Sequence, residues 1–66
     1  MLDKNLCALR KRKGLTQEAL AKAAGIRPQT IYKYEKGIVK NIPYERIEAL
    51  ASALETTPSR LLGWEE

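Results

Sequence analysis

Residues 14–37 read GLTQEALAKAAGIRPQTIYKYEKG, and their capping residues predict two short helices in close succession. Thr16 is a good N-cap, because a threonine hydroxyl can accept a hydrogen bond from an unpaired N–H group of the first helical turn. The helix that it opens is predicted over 17–24. It ends at Gly25, since glycine adopts the left-handed conformation that follows many helices.

A second helix is predicted over 28–36. Pro28 is favoured at the first helical position, where its missing N–H group would have no partner within the helix. Gly37 follows the last turn and again suits the left-handed conformation. Only three residues separate the two helices, so the connection between them is a tight turn.

Two short helices joined by a glycine-containing turn of three or four residues form a helix-turn-helix unit, here over 16–36. Such a unit needs a small residue where the helices approach closely, a residue that tolerates positive φ at the turn, and an apolar residue after it. Ala21, Gly25 and Ile26 supply these in order. The second helix of the unit can enter the major groove of DNA.

Three further helices are predicted outside this unit. The first covers 3–13, with Asp3 as its N-cap, and the others cover 43–54 and 58–62, each opened by a proline. No β-branched or aromatic-rich run alternates with period two, so no strand is predicted. The predicted fold class is therefore a compact all-α, five-helix domain. Its predicted core consists of Leu6, Leu9, Leu20, Ile26, Ile31, Ile47, Leu50, Leu54 and Leu61.

The composition restricts the chain to one small domain over 1–66 and excludes several classes of protein. Its single cysteine cannot form an internal disulfide, and without histidine it cannot complete a zinc site. The longest apolar run, residues 6–9, is far too short to span a membrane, so a cytoplasmic, nucleoid-associated location is expected. No activated nucleophile or glycine-rich phosphate loop supports catalysis, and no cofactor, metal or small-molecule substrate is implied.

Basic residues are concentrated in the first part of the chain, although the net charge of the whole is only +4. Residues 1–40 hold ten of the twelve lysines and arginines and three of the eight acidic residues, which leaves 41–66 net negative. A local basic run such as 10–13 is often no more than a solvated face. The segregation of charge along the chain nevertheless indicates a polyanionic partner for the first part.

The outer face of the second helix of the unit carries side chains that suit DNA recognition. Ile31 is taken to point inward in this helix. At about 100° per residue, the opposite side is formed by Gln29, Tyr32, Lys33 and Lys36. Glutamine can form two hydrogen bonds with adenine, lysine can donate to guanine, and tyrosine can contact a thymine methyl or a phosphate. Tyr32 has the alternative role of covering neighbouring side chains.

The sequence resembles the Cro/CI-like, or XRE-type, helix-turn-helix domains of phage repressors and related bacterial regulators. The resemblance covers nearly the whole chain and rests on Leu9-Arg10-x-x-x-Gly14-Leu15-Thr16-Gln17-x-x-Leu20-Ala21-x-x-x-Gly25-Ile26, Ile31-x-x-Tyr34-Glu35-x-Gly37, Leu50-Ala51-x-x-Leu54 and Leu61-Leu62-Gly63-Trp64. It implies a five-helix, lambda-repressor-like domain in which the third helix reads bases. The last motif resembles the place where longer repressors continue into a linker, so the sequence leaves open whether residues 1–66 are a whole protein.

The resemblance also implies roles for particular residues. Gln17, at the start of the second helix, is expected to bond a backbone phosphate, and a helix N-terminus also favours an anion there. Arg10 and Glu35 are expected to form a partly buried ion pair that locks the first helix to the third. Helical rotation agrees with this pair, because Glu35 lies only about 40° from the inward-pointing Ile31.

Base contacts are expected from the third helix and the residue before it. Pro28 stands where several relatives carry a polar base-contacting residue, so that contact is expected either to be lost or to pass to Arg27 and Gln29. The predicted base-contacting residues are Arg27, Gln29, Tyr32 and Lys33. The predicted phosphate-contacting residues, which position the domain without reading sequence, are Gln17, Lys36, Lys40 and Asn41.

Three other residues have predicted structural roles. Tyr34, about 60° from Ile31, is expected to pack at the edge of the core. Cys7 is expected to be a small, partly buried apolar residue. Trp64 is either packed under the last helix or used in a dimer contact, and the sequence leaves both open.

These features together predict a sequence-specific, double-stranded DNA-binding transcriptional regulator, and specifically a repressor of the Cro/CI type. One short helix contacts too few base pairs to select a site in a genome, so we expect a homodimer on a pseudo-palindromic operator. The alternative is an antitoxin-like or other protein-interaction module on the same scaffold. RNA binding is disfavoured, because the sequence offers neither a GXXG loop nor a platform of stacking aromatics.

Overall fold

Turns at glycine and proline residues divide the chain into helices. The computed structural model describes residues 2–63, and within that range the chain forms five α-helices and no strand. The helices are α1 (Leu2–Arg12), α2 (Gln17–Ala24), α3 (Pro28–Glu35), α4 (Tyr44–Ala53) and α5 (Pro58–Leu62). The predicted all-α, five-helix class is confirmed. None of these helices is long and apolar enough to cross a membrane.

The bounds of α2 and α5 are as predicted, and those of the other helices differ by one residue at one or both ends. α1 begins at Leu2 and ends at Arg12, so the prediction of Asp3 as its N-cap is wrong. Asp3 lies in the first turn instead, where negative charge is also favourable. Lys36 is the C-cap of α3 and lies outside that helix.

Pro43 and Leu54, predicted as the first and last residues of α4, lie just outside it as N-cap and C-cap. Pro43 has an extended ψ of 140°, which does not fit a helical turn. The predicted threonine cap, Thr16, is present, and Thr57 caps α5 in the same way. The hydroxyl oxygens of Thr16 and Thr57 accept hydrogen bonds from N–H groups of the following turns at 3.0 and 3.2 Å.

Each helix contributes one side chain with no exposed surface, and these five side chains form the centre of the core. They are Leu6 of α1, Leu20 of α2, Ile31 of α3, Leu50 of α4 and Leu61 of α5. All five are predicted core residues, as are the buried Ile47 and Leu54. Leu9 and Ile26, also predicted in the core, are only partly buried at its edge. Leu9 lies near the end of α1 and Ile26 lies in a turn, where fewer helices surround a side chain.

The two helices of the helix-turn-helix unit pack against each other and against the rest of the core. α3 packs against α1 and α2, and α2 also packs against α4. Ala21 of α2 is buried, which agrees with the need for a small residue between closely packed helices. As a result, α3 has one face in the core and the other in solvent.

Ala21→Leu should lower the free energy of unfolding by about 1–3 kcal/mol, because the added side-chain atoms have no space at this buried position. Ala23→Leu, on the exposed side of the same helix, is the matched control and should change it by less than about 0.5 kcal/mol. Urea denaturation measures both effects. Equal effects of the two substitutions would contradict the close packing of α2.

Candidate nucleic-acid interface

The exposed face of α3 carries polar and basic side chains. Gln29, Tyr32 and Lys33 all lie on this face and are exposed. Tyr34, on the opposite face, is only 3% exposed. Its hydroxyl oxygen accepts a hydrogen bond from Nη1 of the exposed Arg46 at 2.8 Å, so Tyr34 packs in the core with its hydroxyl at the edge, which agrees with the predicted core-edge position.

An open depression runs along the exposed face of α3. The residues that line this α3 depression are Gln17, Pro28, Gln29, Tyr32, Lys33 and Ile38. Four of them are predicted DNA contacts, and they come from both α2 and α3, so the packing of these two helices brings them together. Pro28 and Ile38 were not predicted as contacts, because a search for hydrogen-bonding groups does not select apolar side chains.

A second depression lies between the start of α1 and the α3–α4 loop. Two predicted phosphate contacts, Lys36 and Lys40, line it together with Asp3 and with Lys4, which was not predicted. Lys4 belongs to the first turn of α1 and lies beside the loop only in the folded chain. Its position in the sequence therefore gives no indication that it lines this depression. Lys36 Nζ also lies 5.7 Å from the centre of the Tyr32 ring, which is within cation–π range. Because Tyr32 lines the α3 depression, this contact connects the two depressions.

Two predicted contacts, Arg27 and Asn41, are exposed but line neither depression. Arg27 is the N-cap residue of α3, and its side chain makes no capping hydrogen bond. Asn41 lies in the α3–α4 loop, directly after Lys40. The structure thus gathers most of the predicted contacts into two groups and leaves these two residues at the periphery.

Arg10 and Glu35 form a bidentate ion pair between α1 and α3. Arg10 Nε donates to Glu35 Oε2 at 2.6 Å, and Arg10 Nη2 donates to Glu35 Oε1 at 3.1 Å. The remaining nitrogen, Nη1, donates to the carbonyl oxygen of Leu15 at 2.7 Å. The two charged side chains are 11% and 5% exposed, respectively. The pair therefore connects α1, the α1–α2 turn and α3 in a largely buried position.

Gln17 is bound to the same carboxylate. Its amide Nε2 donates to Glu35 Oε1 at 3.0 Å. The second N–H group of this amide has no partner within residues 2–63 and can donate to a group outside the protein. The ion pair and Gln17, which the sequence predicts as separate features, therefore form one network.

This network keeps Glu35 ionised. Burial raises the pKa of the Glu35 carboxyl, but the hydrogen bonds from Arg10 and Gln17 and the charge of Arg10 outweigh that effect, so the pKa lies below its ordinary value. The pKa of Arg10 is raised, chiefly by its hydrogen bond to Glu35. Both groups are therefore charged at neutral pH, and the carboxylate does not stand as an uncompensated negative charge beside a basic surface.

The described part of the chain, residues 2–63, contains no group of three or more histidine, cysteine, aspartate or glutamate side chains that could hold a metal ion. Cys7 is half-buried, and its sulfur accepts a long hydrogen bond from Arg10 Nη2 at 3.9 Å. Trp64, for which the sequence left two roles open, lies outside the described residues.

Comparison with known families gives a match to a helix-turn-helix family over residues 8–61, which is most of the chain. The chain belongs to the helix-turn-helix family. This helix-turn-helix protein is similar to the restriction-modification controller protein C.AhdI from Aeromonas hydrophila. The TM-score is 0.86, and the identity is 35% over 91% of this chain and 89% of that one.

The helix-turn-helix protein is also similar in fold to a chain of the SinR protein/SinI protein complex. The TM-score is 0.90 at 24% sequence identity, over 96% of this chain. This chain spans 61% of the length of that one, and at such an identity the likeness shows the fold alone. No curated protein sequence matches the chain significantly.

Family membership confirms the XRE-type helix-turn-helix resemblance, with α2 and α3 as the two helices of the motif. The chain is a helix-turn-helix domain of this type, and helix-turn-helix regulators bind double-stranded DNA. The fold of the family is that of DNA-binding regulators and is not typical of enzymes.

Glu35→Ala in this helix-turn-helix protein should lower the free energy of unfolding by about 3 kcal/mol, because it leaves the largely buried Arg10 guanidinium without its partner. The ion pair of Lys13 with Glu55, whose side chains are much more exposed, supplies the control. Glu55→Ala should cost less than about 1 kcal/mol. Chemical denaturation measures both, and a Glu35→Ala loss as small as that of the control would contradict the structural role of the buried pair.

The stabilisation that Glu35 provides should depend on pH. Because folding lowers the pKa of this carboxyl, its stabilisation is fully present above the ordinary glutamate pKa of about 4.3 and is lost as the pH falls through the lower pKa of the folded state. The difference in unfolding free energy between the wild type and Glu35→Gln should therefore shrink as the pH is lowered from about 7 to about 3. A difference that stays constant would show that the charge of Glu35 contributes nothing.

Proposed function

We propose that this protein is a transcriptional repressor of the Cro/CI type, with residues 1–66 forming one sequence-specific DNA-binding domain that acts at the nucleoid in the cytoplasm. The observation that carries the proposal is the α3 depression, in which side chains suited to phosphates and to base edges share one exposed surface. In helix-turn-helix proteins the second helix of the motif enters the major groove. A repressor of this kind acts by occupying its site, so it needs no catalytic group or cofactor.

Gln29 and Lys33 are the proposed principal readers of base sequence. They are exposed and one helical turn apart on α3, so both can reach into the same stretch of groove. A glutamine amide matches the donor and acceptor of adenine, and a lysine ammonium donates to guanine. Arg27 and Tyr32 flank them and complete the proposed base-contacting set.

Phosphate contacts are proposed for four residues outside the reading turns of α3. Gln17 lies at the N-terminus of α2, where the unpaired N–H groups of the helix also favour an anion. Lys36 is the C-cap of α3, and Lys40 and Asn41 follow in the loop. Contacts of this kind neutralise phosphates and fix the position of the protein on the duplex, but they do not discriminate among bases.

The proposed form on DNA is a homodimer on a pseudo-palindromic operator. α3 has eight residues and is roughly 12 Å long at about 1.5 Å per residue, so one copy contacts only a few base pairs. Two copies with their α3 helices in successive major grooves, about 34 Å apart, read a longer site. The similar C.AhdI is by its name a controller protein, a regulatory role of the kind proposed for this chain.

A protein-interaction module of the antitoxin type is a second candidate function on the same scaffold. One structural neighbour, SinR, was solved in a complex with a second protein, SinI. Isolation of this protein from its source with a stoichiometric protein partner would favour such a function. A DNA-binding protein can also have a protein partner, so the two candidate functions are compatible.

Two classes of substitution test the proposed division of roles. Operator sequences are first selected from a random DNA pool, and binding to preferred and scrambled duplexes is then measured at several salt concentrations. Gln29→Ala and Lys33→Ala should each cost about 1–3 kcal/mol on the preferred duplex and relax the choice at one or two base positions. Lys40→Ala should weaken binding to both duplexes equally and lower the salt slope by about one per half-site. Gln17→Ala should weaken binding with little change in base preference.

Lys22→Ala is the matched control for the loss of one positive charge, since Lys22 is exposed on α2 and lines neither depression. It should leave affinity and salt slope nearly unchanged. If the Gln29 and Lys33 variants keep the full preference for the selected duplex while the Gln17 and Lys40 variants lose it, α3 is not the reading helix. Selected sequences with a single, unpaired half-site would count against the homodimer.

A further inference from the structure

Ile38 is the most exposed large apolar side chain among residues 2–63, with 64% of its surface accessible. It lies in the α3–α4 loop, immediately after Gly37. Single exposed apolar residues are common on protein surfaces and need no special explanation. The position of Ile38, however, can be compared with two equivalent positions in the same chain.

Three helix ends within residues 2–63 share one backbone arrangement, in which a glycine is followed by an apolar residue. The three pairs are Gly14-Leu15, Gly25-Ile26 and Gly37-Ile38. The glycines have φ values of 70° to 73°, in the left-handed region. The N–H of each apolar residue donates to the carbonyl oxygen five residues earlier, at 2.9 to 3.1 Å. This is the Schellman motif, in which the residue after glycine commonly makes an apolar contact with the end of its helix.

Two of the three apolar residues pack as the motif leads one to expect, and the third does not. Leu15 and Ile26 are partly buried against the core. Ile38 is exposed and is not among the residues packed on the core. Since the backbone arrangement is the same in all three, the helix end by itself does not account for an isoleucine at position 38.

Ile38 instead lines the α3 depression, where Pro28 is the other aliphatic residue. The remaining residues of this lining present amide, ammonium and phenol groups, which suit phosphates and the hydrogen-bonding edges of bases. An exposed isoleucine suits none of those. Among the base edges in the major groove, only thymine presents an apolar group, its C5-methyl.

We propose that Ile38 is a specificity-determining residue that contacts the C5-methyl group of a thymine in each half-site of the operator. This role rests on the proposed insertion of α3 into the major groove. Binding removes the isoleucine side chain and the methyl group from water together. A base without the methyl leaves part of that apolar surface uncovered or opposite a polar edge, so thymine is preferred at this position.

Replacement of thymine by deoxyuridine tests the proposal on the wild-type protein, because uracil lacks only the methyl group. The thymine positions of the selected half-site are tested one at a time. In each duplex, one thymine position is changed to deoxyuridine in both half-sites, and the dissociation constant is measured. At one thymine position the wild type should bind the uracil duplex roughly fourfold more weakly for each half-site, the value expected for one buried methyl group. Ile38→Ala should bind the thymine duplex more weakly by a similar factor and should lose its sensitivity to uracil at that position.

Tyr44→Ala is the matched control, because Tyr44 is 58% exposed and lies outside the α3 depression. It should keep the full sensitivity to uracil. Melting temperatures should be nearly equal for the wild type and Ile38→Ala, since the Ile38 side chain is not part of the core. Ile38→Val, which keeps an apolar branched side chain, should retain most of the sensitivity.

Several outcomes would overturn the role of Ile38. The first is that the wild type binds the thymine and uracil duplexes equally at every thymine position. The second is that Ile38→Ala keeps the full sensitivity of binding to uracil. The third is that the selected half-sites contain no invariant thymine. An Ile38→Ala variant with the full sensitivity to uracil would be expected if Ile38 contacted a deoxyribose instead of a thymine methyl. Failure of the proposed DNA recognition is distinct from all three, because the wild type would then show no preference for selected over scrambled duplexes.

Discussion

The bidentate contact between Arg10 and Glu35 determines how the recognition unit is held together. Both charges are largely removed from water, and the cost of that removal is offset only because each hydrogen-bonding atom of the pair has a partner. The carboxylate also accepts from Gln17 at the start of α2, so a single side chain of α3 contacts both α1 and α2. An eight-residue helix is too short to be stable alone in water, and α3 therefore depends on these contacts and on packing for its conformation.

The two faces of α3 have different roles, because one face packs in the core and the other is exposed for recognition. Ile31 and Tyr34 lie in the core, while Gln29 and Lys33 are exposed one turn apart. A domain of this size buries a smaller fraction of its surface than a larger domain does, and it has few core residues to lose. The separation of the two faces allows the exposed side chains to differ among proteins with this fold, since their replacement removes no core contact.

The helix ends at Gly14, Gly25 and Gly37 share one backbone arrangement but differ in the environment of the residue that follows the glycine. In each, the left-handed glycine and the hydrogen bond of the following residue end the helix in the same way. Leu15 and Ile26 then return towards the core, whereas Ile38 lies on the exposed surface beside α3. The local motif thus sets the direction of the chain, and the neighbouring helices decide whether the next side chain is buried or presented to a partner.

The sequence by itself determined the five helices, the tight turn and the polar face of α3. These depend on local preferences: threonine hydroxyls cap helices, proline opens them, glycine ends them, and the helical period distributes apolar residues. The one-residue differences at Asp3 and Pro43 have the same local origin, because a residue near a helix end can serve as cap or as first turn.

Only the tertiary structure decided which distant groups meet. Gln17 and Glu35 are separated by 18 positions, yet they share a hydrogen bond. Lys4 and Lys40 lie near opposite ends of the basic part of the chain and line one depression. Such encounters depend on how the helices pack around their five fully buried side chains, and no local preference in the sequence specifies that packing.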